Sequence, residues 1–229
     1  MNKHIKSVAF KGLSIYSDMR NMFRSKKDIF DEMYKKRGWG NEETLSGTGS
    51  TVQNTEKLVR LLPTIFSQYK IDSVLDIPCG DFNWMKEVEM GGTRYYGADI
   101  VEALIERNKK LYTKNAHSFF VADVTTSVLP NVDFILCRDC LVHLSYKDIF
   151  AALRNIRESR TKYLLTTTFP NHQNVNIVTG NWRPINLGAS PFNFPKALHV
   201  YYEDYSAIKG EYGDKALGLW NVTDIPRNF

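Results

Sequence analysis

The sequence predicts an α/β fold: a doubly wound, mostly parallel, seven-stranded sheet that ends in an antiparallel hairpin. From residue 73 onward, short β-branched and aromatic runs alternate with segments of helical periodicity, which indicates parallel strands joined by helices. Near the C-terminus, two strand-like runs flank the turn-rich stretch KGEYGDK, a pattern that is typical of a hairpin. With 229 residues and 43% hydrophobic content, the chain is large enough to bury the core of such a sheet.

The individual elements follow from local patterns along the chain. A loop rich in Gly, Ser and Thr, GWGNEETLSGTGST, precedes a helix that begins at Ser50 or Thr51 and runs toward Pro63, where we expect a kink. The five parallel strands are predicted at SVLDI, RYYGADI, SFFVADV, VDFILCRD and KYLLTTTF. Helices are predicted at DFNWMKEV, VEALIERNKKLY and KDIFAALRNIRE, and the hairpin strands at HVYYEDYSAI and ALGLWNVTDI.

The positive charge is concentrated at the N-terminal end of the chain. Residues 1–40 contain ten Lys or Arg and four Asp or Glu, whereas the remainder contains twenty and twenty-one. We therefore divide the chain into a basic helical extension, residues 1–43, and a main domain, residues 44–229. The basic run is interpreted as a solvated helix face, with contact to a phosphate-bearing partner or a membrane surface as the alternative. Because aromatic side chains do not alternate with the basic ones, nucleic acid is not the expected partner.

Hydropathy and cysteine content predict where the protein works. No apolar stretch approaches the roughly 18 to 20 residues that a membrane span requires, and the first twenty residues lack the apolar core of a secretory signal. Cys79, Cys137 and Cys140 are an odd number of thiols, which favours a reducing compartment and a cytoplasmic location. The C-x-x-C pair lacks a second pair of zinc ligands, so we expect two buried thiols there, with a redox or metal role as the alternative.

Three aspartates mark a candidate ligand site. Asp76, Asp99 and Asp123 come at the ends of the first three predicted strands, and ligands of open parallel sheets bind at these ends. Any one of them alone is equally well explained as a helix cap. The turn after the first strand contains only Gly80, which disfavours a pyrophosphate and hence NAD or FAD. A phosphate-free adenosine compound, S-adenosylmethionine, fits better, with Asp99 for its ribose and Asp123 for its adenine amine.

The same segments resemble the class I S-adenosylmethionine-dependent methyltransferases, over about residues 44–225. VLDIPCGD, YYGADI and FVADV are similar to the first three motifs of that family, except that Pro78 and Phe82 replace its first and last glycines. The resemblance implies a Rossmann-like methyltransferase fold, S-adenosylmethionine as cofactor, and residues 44–229 as the methyltransferase catalytic domain. The implied cofactor-binding residues are Ser46, Gly47, Ser50, Thr51, Asp76, Pro78, Cys79, Gly80, Asp81, Trp84, Asp99, Ile100, Asp123, Val124, Cys137 and Arg138.

Four further stretches give a narrower resemblance. ETLSGTGST, PCGDFNWM, LCRDCLVHLS and TGNWRPINL together are similar to a subgroup linked to glycan biosynthesis, which includes domains that methylate rhamnose in chlorovirus glycans. This resemblance implies O-methylation of a sugar hydroxyl, with a carbohydrate or glycan as the acceptor. Another small molecule, a protein or an RNA as acceptor, or a cofactor-binding module without turnover, remain the alternatives.

An alcohol acceptor needs a group that removes its proton, and one loop supplies two candidates. His143 lies in the segment LCRDCLVHLS after the fourth strand, and a neutral imidazole near pH 7 suits this task. Asp139 is predicted to orient that histidine or to take the proton itself. The long stretch after the fifth strand has the amides, arginine and aromatic rings that suit a polyhydroxylated substrate. Its predicted substrate-binding residues are Asn171, His172, Trp182, Arg183 and Asn186. No compact cluster of acids and histidines demands a divalent ion, so we expect metal-independent catalysis.

Overall fold

A computed structural model of the protein describes residues 19–113, 117–203 and 212–227. The helices are α1, Lys26–Lys35; α2, Val52–Gln68; α3, Glu102–Tyr112; and α4, Tyr146–Glu158. The strands are β1, Ser73–Asp76; β2, Arg94–Asp99; β3, His117–Val121; β4, Phe134–Cys137; β5, Tyr163–Thr168; β6, His199–Tyr202; and β7, Ala216–Asn221. Within these ranges no helix is both long and apolar enough to cross a membrane.

The seven strands form one sheet, in the order β3-β2-β1-β4-β5-β7-β6. The first five strands pair in parallel, and β7 pairs antiparallel with both β5 and β6. The predicted fold class is therefore confirmed, including the antiparallel hairpin at the C-terminal end. The strand order reverses between β1 and β4, so the carboxyl ends of these two strands open the crevice where such sheets bind their ligands.

Alternation along the central strands places the core on both faces of the sheet. β1 and β4 are buried at every position. Val74 and Phe134 belong to one apolar cluster together with the buried face of α2, whereas their neighbours Leu75 and Ile135 belong to a second cluster with α4. This two-residue period is what a strand buried on both faces requires. The sheet is thus a rigid layer whose carboxyl edge carries the candidate site.

One local expectation is wrong for an identifiable reason. The segment DFNWMKEV, expected to be a helix, contains only a 3₁₀ turn, Met85–Glu87. Phe82 precedes it with a left-handed φ of 59°, and its buried ring packs against those of Tyr95 and Phe119, with centroids 5.0 and 5.2 Å away. Because a left-handed residue interrupts right-handed helix geometry, the chain turns here instead of winding. Helix α2 continues through Pro63, the position of the expected kink, and ends at Gln68.

Hydroxyl side chains cap both α2 and α4. Of the two predicted caps of α2, Ser50 and Thr51, it is Thr51 whose hydroxyl accepts a hydrogen bond from the backbone N–H of Asn54. Ser145 caps α4, and its hydroxyl accepts from the N–H of Asp148. Of the predicted basic extension, residues 1–18 lie outside the described residues, and α1 falls in the remainder. Residues 204–208 of the predicted strand HVYYEDYSAI and residues 209–211 of the connection KGEYGDK also lie outside them.

Candidate active site

A cleft of about 530 Å³ opens at the carboxyl ends of β1, β2 and β4, within the size range of small-molecule sites. Segments that are distant in sequence contribute to its walls. They are α1 and the residues after it, the loop 45–50, the turn after β1, the ends of β2 and β3, the segment after β4, and the single residues Phe169, Trp182 and Lys215. The predicted crevice and the observed cleft therefore coincide in position on the sheet.

The turn after β1 depends on a glycine. Gly80 has a φ of 55°, and its N–H donates to Oδ2 of Asp99 at 3.1 Å. A Cβ atom at this position would lie only 2.1 Å from Oγ of Ser46. The turn is therefore packed against the loop 45–50, with no room for a side chain. Asp99 also accepts the N–H of Val101 at 2.9 Å, so the ends of β1 and β2 are tied together at the cleft.

Asp81 fastens the loop that covers this turn. Its carboxylate accepts hydrogen bonds from the Thr44 hydroxyl at 2.9 Å, the Leu45 N–H at 2.8 Å and the Ser46 hydroxyl at 2.9 Å. The Asp81 side chain is buried, and both of its carboxylate oxygens accept hydrogen bonds from this loop. Asp81 was predicted as a cofactor contact, and the geometry gives it in addition a clear task in holding the loop.

Burial changes the proton affinity of two carboxyls in the cleft. It raises the pKa of Asp76 to about 7, although the Tyr95 hydroxyl, which donates to Asp76 at 2.7 Å, and the charge of Arg138 oppose the shift. It raises the pKa of Asp99 to about 6 against the backbone N–H donors. A ligand that brings hydroxyl or cationic donors would stabilise the ionised form of both carboxyls, and so lower their pKa values.

Asp123 follows the end of β3 by two residues, on the far side of the cleft. Its Oδ1 accepts from both the N–H and the hydroxyl of Thr125, at 2.8 and 2.7 Å. Its Oδ2 faces the ammonium of Lys26 in α1, 3.5 Å away. Lys26 Nζ lies equally far from Oδ1 of Asp148 at the start of α4. One lysine of the N-terminal segment thus bridges two acids of the main domain.

Four charged side chains form a buried network beside the loop 45–50. Arg138 binds the carboxylate of Glu203 through Nη2 at 2.6 Å and also donates to the Gly49 carbonyl at 2.8 Å. Lys215 Nζ lies 2.7 Å from Oδ2 of Asp139 and 3.5 Å from Oε2 of Glu203. Arg138 Nη1 also reaches Asp139 at 3.2 Å. Two cations and two anions therefore balance within the network.

The surroundings of His143 favour the neutral form of its imidazole. Its Nδ1 lies 2.9 Å from the carbonyl oxygen of Asn181, and because a carbonyl only accepts, Nδ1 carries the proton. Burial lowers the pKa of the imidazole below its usual value, against the opposing effects of the Asn181 carbonyl and Asp139. The unprotonated Nε2 then has a free lone pair at neutral pH. This is the state that a general base requires.

Asp139 is much less basic. Burial alone would raise its pKa, but the Lys215 ammonium and the Arg138 guanidinium outweigh burial and hold the pKa of Asp139 well below its usual range. Its backbone has a φ of 52°, and its N–H donates to the Thr167 hydroxyl at 2.8 Å. Strained residues of this kind are often held in place at functional sites. Of the two predicted bases, His143 has the better-matched pKa.

Aromatic rings line the outer end of the cleft. Trp182 is 42% exposed, and its ring packs edge-on against Tyr212 and Phe169, with centroids 5.0 and 6.0 Å away. His172 stacks on Tyr212 at 5.6 Å, and its Nδ1 lies 3.1 Å from Oδ1 of Asp214. Trp182 and Phe169 belong to the cleft wall itself. We call Phe169, His172, Trp182 and Tyr212 the aromatic cluster.

The structure brings most of the predicted site residues together. Those that line the cleft are Ser46, Gly47, Ser50, Asp76, Pro78, Cys79, Gly80, Asp81, Trp84, Asp99, Ile100, Asp123, Val124, Arg138, Asp139, His143 and Trp182. Those that lie outside its described wall are Thr51, Cys137, Asn171, His172, Arg183 and Asn186.

The positions of the second group have physical causes. Cys137 is fully buried in the core at the end of β4. Arg183 is buried, and its guanidinium donates to the carbonyls of Leu141 and Leu144, both at 2.8 Å, so it holds the segment before α4. The Asn186 amide donates to the Pro170 carbonyl at 2.7 Å. The Arg183 and Asn186 side chains were predicted to bind substrate, but these donors bind backbone carbonyls of the protein instead.

Sequence reasoning missed several residues of the wall. Lys26, Phe30, Tyr34 and Trp39 come from the segment taken as a separate extension, and Lys215 precedes β7. Trp39 stands between two glycines in GWGN, and this pattern is the signal in the sequence for a fixed aromatic ring in a loop. Lys215 has no local signal, because its partners Asp139 and Glu203 are remote in sequence. In the part of the chain that the structure describes, no group of three His, Cys, Asp or Glu is arranged to hold a metal ion.

Comparison with known proteins agrees with this geometry. A family model described as a methyltransferase domain matches residues 74–161, from β1 to the end of α4. No curated protein sequence matches the chain. Among solved structures, it is similar to magnesium protoporphyrin IX methyltransferase from Synechocystis PCC 6803 with bound SAM, with 13% identity and a TM-score of 0.55 over 86% of this chain and 97% of that one.

A second solved structure extends the likeness. The chain is similar to the PH0226 protein from Pyrococcus horikoshii OT3, with 18% identity and a TM-score of 0.52 over 76% of this chain and 94% of that one. At such identities the likeness establishes the fold, which is the seven-stranded arrangement of the class I methyltransferases.

Proposed function

We propose that this chain is a class I S-adenosylmethionine-dependent methyltransferase that methylates a sugar hydroxyl of a glycan, with His143 as the general base. One observation carries the proposal. The carbonyl that orients the His143 imidazole belongs to Asn181, 2.9 Å away, and the next residue is Trp182, whose exposed ring lines the same cleft. A proton acceptor and a stacking surface are therefore held by one short segment.

The residues of the cleft fit the cofactor. The turn at Gly80 leaves no room for a side chain, and the two buried carboxyls with raised pKa values, Asp76 and Asp99, suit hydroxyl and ammonium donors. Asp123 is placed to accept from an amine on the far side of the cleft. When bound, S-adenosylmethionine supplies a methyl group activated by a sulfonium. The similar Synechocystis enzyme has SAM bound, which supports the same assignment.

His143 supplies the acid–base chemistry. As the acceptor oxygen gains its methyl group, its proton passes to Nε2, while Nδ1–H stays bound to the Asn181 carbonyl. Asp139, held ionised by Lys215 and Arg138, stabilises the imidazolium that forms. General-base catalysis of this kind contributes about 10²- to 10⁴-fold in rate. Correct alignment of the acceptor oxygen accounts for much of the remainder.

The aromatic cluster favours a sugar over a charged acceptor. Pyranose rings have apolar faces and hydrogen-bonding edges, and exposed aromatic rings pack on such faces. Trp182, with 42% of its surface exposed, offers such a ring at the mouth of the cleft. The narrower resemblance to glycan methyltransferases points to the same class, including terminal rhamnose. The three free thiols fit a reducing compartment, so we further propose that the reaction takes place in the cytoplasm.

The proposal is tested by incubating the purified chain with S-adenosylmethionine and a panel of acceptors. The panel contains deoxysugar-terminated glycans, phenols, amines, a peptide mixture and a short RNA, and mass spectrometry detects the added methyl group. We expect methylation of glycans, with kcat reduced about 10²-fold or more in His143→Gln and unchanged in His199→Gln, a histidine on the exposed strand β6.

Three results would contradict the assignment. Methylation of an amine or RNA without any glycan product would exclude a sugar acceptor. Full turnover in His143→Gln would exclude the proposed base, and loss in Asp139→Asn alone would identify Asp139 as the base. Binding of the cofactor without turnover of any acceptor would favour a binding module.

A further inference from the structure

Helix α1 is attached to the main domain by ion pairs and by apolar packing. Lys26 bridges Asp123 and Asp148, 3.5 Å from each. Ile29 is buried at 3% exposure, and a Cβ atom on Gly180 would lie 2.6 Å from its Cγ2. The N–H of Gly180 donates to the carbonyl of His143 at 2.9 Å. The helix is therefore seated directly on the backbone that carries the proposed base.

A row of rings continues from this helix to the base. Phe30 of α1 packs against Trp39, with centroids 5.8 Å apart, and Trp39 packs against the His143 imidazole at 5.1 Å. All three residues line the cleft. Trp39 is itself held from behind by the loop 45–50, since its carbonyl and Cβ lie 3.5 and 3.6 Å from the position of a Cβ on Gly47.

The contacts of the imidazole leave one edge for the acceptor. Nδ1 is bonded to the Asn181 carbonyl and the ring packs against Trp39 at an interplanar angle of 50°, while Nε2 has no hydrogen-bond partner within the described residues. The charged groups that act on the ring from its surroundings are Asp139, Lys215 and Arg183. An acceptor that reaches Nε2 must therefore pass between Trp39 on one side and the wall that carries Trp182 on the other.

We propose that residues 26–39 form the second wall of the acceptor site, and that Trp39 is a positioning residue that aligns His143 and keeps water from it. The inference rests on the proposed function, because it assigns a role in handling the acceptor. It places the N-terminal segment, which the charge pattern separates as an extension, inside the catalytic unit.

A smaller residue at position 39 exposes the imidazole. In Trp39→Leu we expect water to reach His143, and since burial is what lowers the pKa of this group, the pKa rises toward the ordinary value of about 6.5. The acid limb of the kcat–pH profile then moves to higher pH, because more of the base is protonated at a given pH. The acceptor KM rises roughly threefold to tenfold from the lost ring contact. Trp39→Phe retains both properties.

The experiment has a readout that needs no acceptor. The His143 imidazole is titrated by NMR in the wild type, Trp39→Leu and Trp39→Phe, with His143→Gln to assign its signal. Glu32→Gln is the matched control, because Glu32 pairs with Arg20 and Arg24 on the solvent side of the same helix. Calorimetry then measures the affinity for S-adenosylmethionine, which we expect to stay within about twofold in every variant except His143→Gln.

The outcomes separate this inference from the proposed function. A raised His143 pKa in Trp39→Leu alone supports the wall, whatever acceptor is found. An unchanged pKa and KM in Trp39→Leu, or an equal change in Glu32→Gln, overturns it. Failure of every glycan as acceptor overturns the proposed function, and the titration still decides the role of Trp39.

Discussion

Two separate constraints require glycine at position 80. The left-handed φ of 55° disfavours any other residue, and a Cβ would lie 2.1 Å from Oγ of Ser46. Gly91 has the same φ of 55° but no atom within 4 Å of its added Cβ. We expect Gly80→Ala to weaken binding of S-adenosylmethionine at least tenfold, whereas Gly91→Ala costs about 1 kcal/mol of stability and leaves binding unchanged. Calorimetry and urea denaturation measure the two effects, and equal affinities in both variants would contradict the packing argument.

The Asp76 carboxyl gives the free protein an unusual pH dependence. Its pKa is about 7 in the folded state against the ordinary value of 3.8, so between about pH 4 and 7 the folded state binds more protons than the unfolded state. Stability therefore falls as pH rises through this window, by on the order of a few kcal/mol for a shift of this size. Asp76→Asn retains an oxygen that accepts from Tyr95 but does not titrate.

The measurement is urea unfolding of both proteins at pH 4.5 and 7.5 without ligand. We expect the wild type to lose more stability than Asp76→Asn between these two values, and the difference to shrink when S-adenosylmethionine is added. Asp99, with a pKa of about 6, contributes a similar slope to both proteins and cancels in the comparison. Parallel pH profiles would show that Asp76 is ionised throughout.

At the scale of the elements, one carboxylate decides whether the loop 45–50 covers the turn after β1. Asp81 accepts from Thr44, Leu45 and Ser46, and charge-assisted bonds of this kind are each stronger than neutral ones. In Asp81→Asn we expect faster amide hydrogen exchange in residues 45–50 and cofactor binding about tenfold weaker. Asp133→Asn is the control, because Asp133 accepts from Ser73 Oγ at 2.9 Å at the opposite ends of the strands.

Hydrogen exchange followed by mass spectrometry resolves the two effects. Asp133→Asn is expected to lower stability without changing exchange in the loop or cofactor affinity. Unchanged exchange of the loop in Asp81→Asn would mean that packing against Gly80 alone holds it in place.

The elements that the sequence predicts well are those specified by local patterns. The continuous apolar runs of β1 and β4 and the serine before α4 are features of neighbouring residues. These strands and α4 can therefore be predicted from the sequence alone. The helix expected after β1 fails because Phe82 adopts its left-handed φ to fill a space among Tyr95 and Phe119, rings that come from other strands. Propensity gives way to tertiary packing there.

The same distinction applies to the candidate site. Asp76, Asp99, Asp123 and His143 stand at ends of strands or in the loop after one, and the rule that parallel sheets bind at their carboxyl edge is sufficient to group them. Trp39 could not be placed in the same way, because its contact with His143 depends on how α1 seats against Gly180. The charge pattern of the sequence predicts that α1 is separate from the main domain, whereas in the structure α1 packs against that domain.

At the scale of the whole molecule, the buried charge network connects parts of the chain that no local rule relates. Arg138 after β4, Glu203 after β6 and Lys215 before β7 meet beside the loop 45–50. The Arg138 and Glu203 side chains are 4% and 0% exposed, so each charge depends on the others for compensation. The antiparallel hairpin thereby contributes to the cofactor side of the cleft as well as to the sheet edge.

Removal of one charge from this network should destabilise the entire domain. In Glu203→Gln, the network keeps its two cations, Arg138 and Lys215, but loses one of its two anions, and breaking a buried pair in this way costs about 3–5 kcal/mol. The double variant Glu203→Gln with Lys215→Gln leaves Arg138 with Asp139, one cation and one anion, so we expect it to recover part of the loss. Glu106→Gln serves as the surface control, because its pair with Lys109 is about half exposed and contributes about 0–1 kcal/mol. Urea denaturation of the four proteins measures these differences, and a double variant less stable than Glu203→Gln would show that hydrogen bonds of Lys215, rather than charge balance, stabilise the network.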